Sequence, residues 1–540
     1  MTSANDETQN DRSSSILPFR LRGFGAKPES EKTILLIVIA LAIYSVARNL
    51  AQAAVRPLWF DEILTQVVSR QPNFSAIWNA LKAGVDGNPP LFYLIERVAS
   101  HLSSNEMLAF RLVSALAFAC TFICLYIFVE RRSGARVAFI CAVLIFVTPL
   151  NNKYSLEARP YSLLVACLAL ALVCYQRLPA ARWSVGLLLS LSLAESLHYY
   201  AVLACFPFFL AEIVHVFATS RIRYWVWLCL FGSLIPALIS APLLVNLRHA
   251  YADHIWARPE FMLIPMSYGG YFRLNALWGL AIAFISFLVV IAAWARGRTQ
   301  LESTGGVETA PASEHVLVLG FLALPVAGVV AARIAHGGAA DRYYLPAILG
   351  IAIAFGYVLR KVTPAGFQLV AALILIAVAF QEADVMRTVL RNPHGIDSRA
   401  PVLSLLSDAI ARNDLPLVLS DAGGYVELSH VAPQSLNQRM VTLVDPPSAV
   451  VYAGTDTVDR LVIELKSYVP MQVYDFKPFA AAHPVFLLYS DATPFDWWPS
   501  RLIHDGAQVE LVAKQGAGTL YRVALNRDAA AIHRENALGR

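Results

Sequence analysis

Eleven apolar runs, separated by short loops, decide the fold class of this chain before any motif is read. They lie near residues 33–55, 106–129, 136–150, 159–177, 183–196, 198–217, 224–245, 273–295, 315–335, 343–360 and 366–383. A bilayer core of roughly 30 Å asks for about 20 apolar residues per helix, so the runs at 136–150 and 183–196 are short and need tilt or local thinning. Only 15% of the residues are charged and 57% are hydrophobic, against roughly 25% charged in an ordinary soluble protein. The predicted fold is a polytopic α-helical membrane protein of about 11 transmembrane helices. All seven cysteines fall in or beside apolar runs, which excludes a disulfide-stapled soluble domain. The polar, Ser-rich segment 1–32 reads as a disordered cytoplasmic tail. The run that follows has no small-residue cleavage site and reads as a retained span.

The loop charges give an orientation. With the N-terminus inside, the inner loops hold Arg131, Arg132 and Arg136, then Arg177 and Arg182, Arg221 and Arg223, Arg296 and Arg298, and Arg360 with Lys361. Every inner loop is basic, whereas the outer connections at 56–105, 246–272 and 336–342 dilute their basic residues with acids, aromatics and prolines. An odd span count then places the tail outside.

From about residue 384 the pattern changes. Short apolar strands at 417–419, 441–444, 485–489, 509–512 and 521–524 alternate with helical stretches at 425–431 and 457–467, and the last two strands resemble a hairpin around Gly516 and Gly518. Segment 384–540 therefore reads as an extracytoplasmic α/β domain of about 150 residues that covers the membrane site or recognises an acceptor. Segment 33–383 is the transmembrane domain, with interfacial helices in the outer loop 56–105. No GxGxxG, P-loop, CxxC or HExxH pattern occurs, so the signatures of a nucleotide donor, ATP drive or a zinc protease are missing.

Four clusters of ionisable residues lie at outer span boundaries. Leu58-Trp59-Phe60-Asp61-Glu62 precedes a stretch whose apolar residues Leu64, Val67, Val68, Ile77 and Leu81 fit helices lying on the membrane face. Asp61 either caps the helix, with Glu62 favouring its first turn, or serves as a general base on an acceptor hydroxyl. Next comes Asp86-Gly87-Asn88-Pro89-Pro90-Leu91-Phe92-Tyr93, whose double proline brings Asp86 beside a new helix. The third is Ser155-Leu156-Glu157-Ala158-Arg159-Pro160-Tyr161-Ser162-Leu163, and the fourth Asp341-Arg342-Tyr343-Tyr344-Leu345-Pro346. His198-Tyr199-Tyr200 opens another span and fits an aromatic belt as well as a donor contact. Glu157 reads as a loop acid or a partner of Arg159. His254, Trp256 and Arg258 either line a sugar site or rest on lipid, and Trp497-Trp498 reads as core or membrane contact.

The ordered set WFDE, D-x-N-P-P-L-x-Y, EARPYSL and DRYYLP resembles the bacterial protein O-mannosyltransferase-like branch of the GT-C glycosyltransferases, relatives of the lipid A aminoarabinose transferases. The resemblance covers roughly residues 33–383; Asn88 stands where His is commoner in that family. It implies a membrane glycosyltransferase that takes a sugar from a polyprenyl-phosphate donor and passes it to a protein, lipid or glycan acceptor outside the cytoplasm of a bacterial inner membrane. In that family the first acidic pair is catalytic. It maps onto Asp61, as the base of an inverting displacement, with Glu62 beside it. Asp86 matches the second acidic position, which orients the acceptor or helps bind a metal. Arg159 and Arg342 are the candidates to clamp the donor phosphate, because a guanidinium alone can hold a lipid-monophosphate leaving group; the alternative is that they snorkel to the interface. Asn88, Tyr161, His198, Tyr199, Arg258 and Tyr343 are the candidate pocket residues. No cofactor is required by the sequence, a divalent metal is unsupported, and no nucleic-acid partner is implied. Two alternatives remain: a transporter or lipid flippase using the same charges, and a polysaccharide polymerase or ligase with a lipid-diphosphate donor.

Overall fold

The computed structural model describes residues 28–251, 254–273, 281, 284–292, 295, 310–392, 399–516 and 518–525. Residues 1–27 of the expected tail 1–32, and residues 274–280, 282–283 and 293–294 of the expected span 273–295, lie outside them, and the end of the expected tail enters helix Glu29–Ala54. The remaining apolar runs are helices. Five are long and apolar enough to cross a membrane, Glu29–Ala54, Glu106–Ser133, Ala201–Thr219, Tyr224–Tyr251 and Pro364–Arg391. Ala312–Leu322 and Leu324–Ala335 are together long and apolar enough for one more span or a re-entrant loop, bent by 59° where Pro325 opens the second half. The other expected spans are shorter: Ala135–Val147, Tyr161–Tyr175 and Ala347–Leu359 are apolar helices of sub-bilayer length, and the expected 183–196 is the 17-residue helix Ala181–Leu197. By length and composition alone, the described helices therefore fall short of the eleven spans expected. Apolar runs are cut by their own punctuation, Pro149 after one, Pro160 and Pro346 before two others.

Helix Glu106–Ser133 sets the vertical scale. Asn105 caps its start through the Leu108 amide (3.3 Å), and Gly134, at φ 80°, ends it. Arg111 near one end and Arg132 near the other each lock a buried glutamate, Glu62 and Glu314. Twenty-one residues of helix separate the two arginines by roughly 30 Å, the thickness of a bilayer core. The Arg132 end also receives Arg360, which donates to the Arg132 carbonyl (2.7 Å), and Arg131, which donates to the Gln176 carbonyl (3.1 Å). Three of the basic loops thus gather at one end of the bundle, and the WFDE segment lies at the other.

Beyond residue 399 the chain forms a six-stranded sheet, β1 (Leu417–Leu419), β2 (Met440–Val444), β3 (Val473–Asp475), β4 (Val485–Ser490), β5 (Gln508–Gln515) and β6 (Gly518–Ala524), in the order β3-β2-β1-β4-β6-β5. The first four are parallel neighbours and β4-β6-β5 are antiparallel. β1 and β2 are buried throughout, as a parallel sheet covered on both faces requires. Val418, Val441, Leu443 and Phe486 point to a core that includes Trp497 and Trp498. Leu417, Leu419, Met440 and Leu487 point the other way, into a core shared with Leu64, Val67, Val68, Ile77 and Leu81. The helices Phe60–Ser69 and Phe74–Lys82 therefore turn their apolar stripe toward protein rather than lipid. The sequence periodicity that suggested a membrane face is the same for either apolar neighbour.

Candidate functional site

The WFDE helix is fixed by Glu62. It stands at the third position of helix Phe60–Ser69 and accepts from the Trp59 amide (3.2 Å), the glutamate half of a capping box. Its carboxylate is fully buried, takes both arms of Arg111 (2.7 and 2.5 Å) and accepts from the Ala158 amide (2.8 Å). Arg111 in turn donates to the carbonyls of Ala53, Arg56 and Pro57. Every lone pair that Glu62 could offer a substrate is committed within the protein, and Glu62 does not line the cavity that Asp61 faces. Arg111 escaped the sequence reading, although an arginine just inside an apolar run signals a buried partner.

Asp61 projects elsewhere. The N-cap is Trp59, so Asp61 does not cap the helix. Its side chain is 15% exposed, and its Oδ2 lies 3.7 Å from Nη2 of Arg342. Among the described residues no donor reaches that oxygen within hydrogen-bonding distance. Asp61 and Arg342 face a cavity of about 380 Å³ whose walls also include Asp86, Asn88, Arg159, Tyr161 and Tyr343. Six of the sequence-predicted residues thus converge with Asp61 on one cavity, from four separate segments of the chain.

The two arginines differ. Arg159 is buried and gives both arms to Asp86 (2.5 and 3.1 Å), with further bonds to the Asp61 carbonyl (3.0 Å) and Thr65 Oγ1 (3.1 Å). Asp86 also accepts from the Gly87 amide (2.7 Å). The pair is internally neutralised and braces the backbone beneath Asp61. Arg342, on the turn Asp341–Tyr344, donates through Nε to Tyr161 Oη (3.0 Å) and lies 5.0 Å from the Trp256 ring and 5.7 Å from the Tyr343 ring. Aromatic neighbours hold a guanidinium in place without satisfying its remaining N–H donors. Gly328 makes room for this turn: a Cβ there would stand 2.0 Å from Cε1 of Tyr344. Gly84, at φ +85°, does the same for Tyr251, whose hydroxyl donates to the Gly84 carbonyl (3.0 Å).

Other expectations are redistributed. His198 is buried behind the cavity, 4.9 Å from the Tyr343 ring and 5.5 Å from Tyr161, with Nδ1 accepting from the Tyr200 amide. Tyr199 packs into the core shared with the sheet. Neither lines the cavity. Arg258 is also outside it, donating to the Gly454 carbonyl (2.6 Å), and the His254 carbonyl accepts from Thr455 (2.6 Å); of the 254–258 loop only Ile255 and Trp256 reach the cavity. Glu157 is paired with Lys153 at 3.8 Å rather than with Arg159. Burial pushes its carboxyl up to about 8 against the opposing Lys153 charge, with Glu62 and Asp61 adding to the rise. Trp498 donates to the Leu443 carbonyl (3.2 Å) and is core, as expected. Thr457, Val458, Leu461 and Phe495 complete the wall, and no motif pointed to them.

Comparisons with known proteins fit this geometry. Residues 87–245 match the family model described as dolichyl-phosphate-mannose-protein mannosyltransferase, a stretch that holds Asn88, Arg159, Tyr161, His198 and Tyr199. A search of curated proteins gives no match. Among solved structures, ArnT from Cupriavidus metallidurans in the apo state is similar with a TM-score of 0.54 at 12% identity, covering 92% of this chain and 98% of ArnT. ArnT from the same organism bound to undecaprenyl phosphate gives a TM-score of 0.51 at 12% identity, covering 90% and 97%. The expected resemblance is met from two sides: the chain shares the fold of ArnT over most of its length, and its residues 87–245 match the mannosyltransferase family model.

Proposed function

We propose that this protein is a membrane glycosyltransferase that moves a sugar from a polyprenyl-phosphate donor to an acceptor hydroxyl. The observation that carries the reading is the facing pair in the cavity, a carboxylate oxygen of Asp61 without a hydrogen-bond donor and the guanidinium of Arg342 beside it. In the reaction the acceptor hydroxyl gives its proton to Asp61 while its oxygen attacks the anomeric carbon. The bond from that carbon to the phosphate oxygen breaks, and its electron pair leaves on the phosphate, which Arg342 holds. A single displacement inverts the anomeric centre. Tyr161 and Trp256 aim Arg342, Asp86 and Arg159 brace the floor, and Asn88 and Tyr343 offer polar contacts to the sugar.

Arg159 is occupied by Asp86, so of the two cavity arginines Arg342 is the one left for an anion, which suits a monophosphate better than a diphosphate. The ionisable groups lie at one end of the bundle and not at its middle, unlike the usual arrangement of a transporter. That end is outside the cytoplasm of a bacterial inner membrane on the loop-charge argument, with the sheet beyond residue 399 as its outer domain. The transfer reading is supported further by the family match over 87–245 and by the ArnT fold, one ArnT structure being bound to undecaprenyl phosphate.

The test reconstitutes wild type and Asp61→Asn in liposomes with a panel of radiolabelled polyprenyl-phosphate sugars, with and without membrane extract as acceptor. Sugar release by the wild type, lost about a hundredfold in a folded Asp61→Asn, is expected. Equal turnover by both removes Asp61 as base, and transbilayer movement without turnover favours a flippase.

A further inference from the structure

Four of the twenty residues around the cavity, Thr457, Val458, Leu461 and Phe495, belong to the segment beyond residue 399, where no described helix is long and apolar enough to cross a membrane. They come from the segments that leave the carboxyl edge of the parallel sheet: helix Thr457–Leu465 starts after β2, and Phe495 follows β4. The strand order reverses between β1 and β4, and in open α/β sheets the crevice outside the carboxyl ends at such a reversal is where ligands bind. Here that crevice faces the membrane bundle. Val458 and Phe495 line both the cavity and a smaller recess at the sheet edge that also touches Ala422 and Trp497, and Gly423 lies against the Phe60 ring beside Asp61.

These four residues carry no ionisable group, and the Thr457 hydroxyl is already engaged with the Trp256 amide, the Thr455 hydroxyl and the His254 carbonyl. They can shape the cavity but cannot drive its chemistry. The phosphate end of the cavity is built by bundle residues Arg342, Tyr161 and Tyr343, where a lipid tail can stay in the bilayer. The wall from beyond residue 399 meets that end at Trp256, whose amide donates to Thr457 and whose ring lies beside Arg342, and it is the one that a second substrate from the aqueous side must pass.

We propose that Val458, Leu461 and Phe495 form the acceptor-facing wall of the cavity and select which acceptor hydroxyl reaches Asp61. The proposal rests on the transferase reading above and deepens it. The full chain in liposomes, charged with whichever polyprenyl-phosphate sugar it accepts, is assayed with methyl glucoside and naphthyl glucoside as surrogate acceptors, and kcat/KM is measured for each together with the donor KM. Phe495→Ala, which enlarges the wall, raises the naphthyl to methyl ratio about tenfold, and Val458→Phe, which narrows it, lowers the ratio by a similar factor. The donor KM moves less than twofold in both. Should one variant fail to fold by size exclusion, the other decides alone. A ratio unmoved in folded variants, or a change confined to the donor KM, overturns the wall. A wild type inert toward every donor sinks the transferase reading itself, which separates the two failures.

Discussion

Asp61 and Glu62 are adjacent, yet consecutive helical residues point about 100° apart, so one meets the cavity and the other the core. Their substitutions should fail in different ways. Asp61→Asn keeps the fold and lowers kcat about a hundredfold with the donor KM little changed. Glu62→Ala leaves Arg111 buried without its partner and costs on the order of 3–5 kcal/mol of stability, visible as a lowered melting temperature in detergent. Arg342→Ala forfeits about 1.5–3 kcal/mol of charged hydrogen bonding to the phosphate, read as a donor KM raised by roughly one to two powers of ten. Glu157 governs a pH effect. Its folded pKa of about 8 lies above the ordinary 4.5, so the folded state holds the proton more tightly. That contribution to stability is fully present below about pH 4.5 and is lost as pH rises through 8. Glu157→Gln, which cannot ionise, should flatten the melting temperature across that window; an unchanged slope would exclude Glu157 as its source. The acidic and basic residue types at the site were legible because charge beside an apolar run is expensive. Their pairing was not: nothing in the spacing of 61, 86, 159 and 342 says that Arg159 belongs to Asp86 and Arg342 to Asp61.

At the scale of single elements, regular structure was readable wherever punctuation was strong. β1 falls on the expected 417–419, and helix Thr457–Leu465 starts where its amphipathic pattern starts. β3 was missed, since three residues with two exposed leave no periodicity to detect. The last apolar helix runs to Arg391, past the expected 383, with none of its residues buried; it is clasped by Glu382, which accepts from Tyr44 (2.8 Å) and Arg48 (2.9 Å) on the first helix. The turn that aims Arg342 depends on a neighbouring helix. Gly328→Ala would drive a methyl into Tyr344, displace the Asp341–Tyr344 turn and raise the donor KM several-fold, although Gly328 is not a cavity residue. A donor KM equal to the wild type in a folded Gly328→Ala protein would mean that the turn holds its position without that packing.

Across the whole molecule, two regions that the sequence separates share one core. Glu427 accepts from the Phe60 amide (2.9 Å), Gln66 pairs with His430 (2.9 Å), and Arg399 donates to the carbonyls of Leu58 and Glu427. These bonds seat helix Ala422–Val431 on the Asp61 helix. Glu427→Ala strands a helix-terminal N–H and should cost about 1–3 kcal/mol, measurable as faster hydrogen exchange at the start of the Phe60–Ser69 helix. A composition shift near 384 announced a second kind of structure, but a shared interior leaves no trace in composition. The Asp61 helix is gripped by Arg111 from within the bundle and by Glu427 from the tail, and this bears on how the protein is made. Asp61 is synthesised early, whereas Glu427 and the wall residues Thr457, Val458, Leu461 and Phe495 come more than 360 residues later. A ribosome that stops short of Glu427 therefore releases a chain whose Asp61 carboxylate has neither its outer wall nor its second grip, so that such an unfinished copy in the membrane holds an incomplete site.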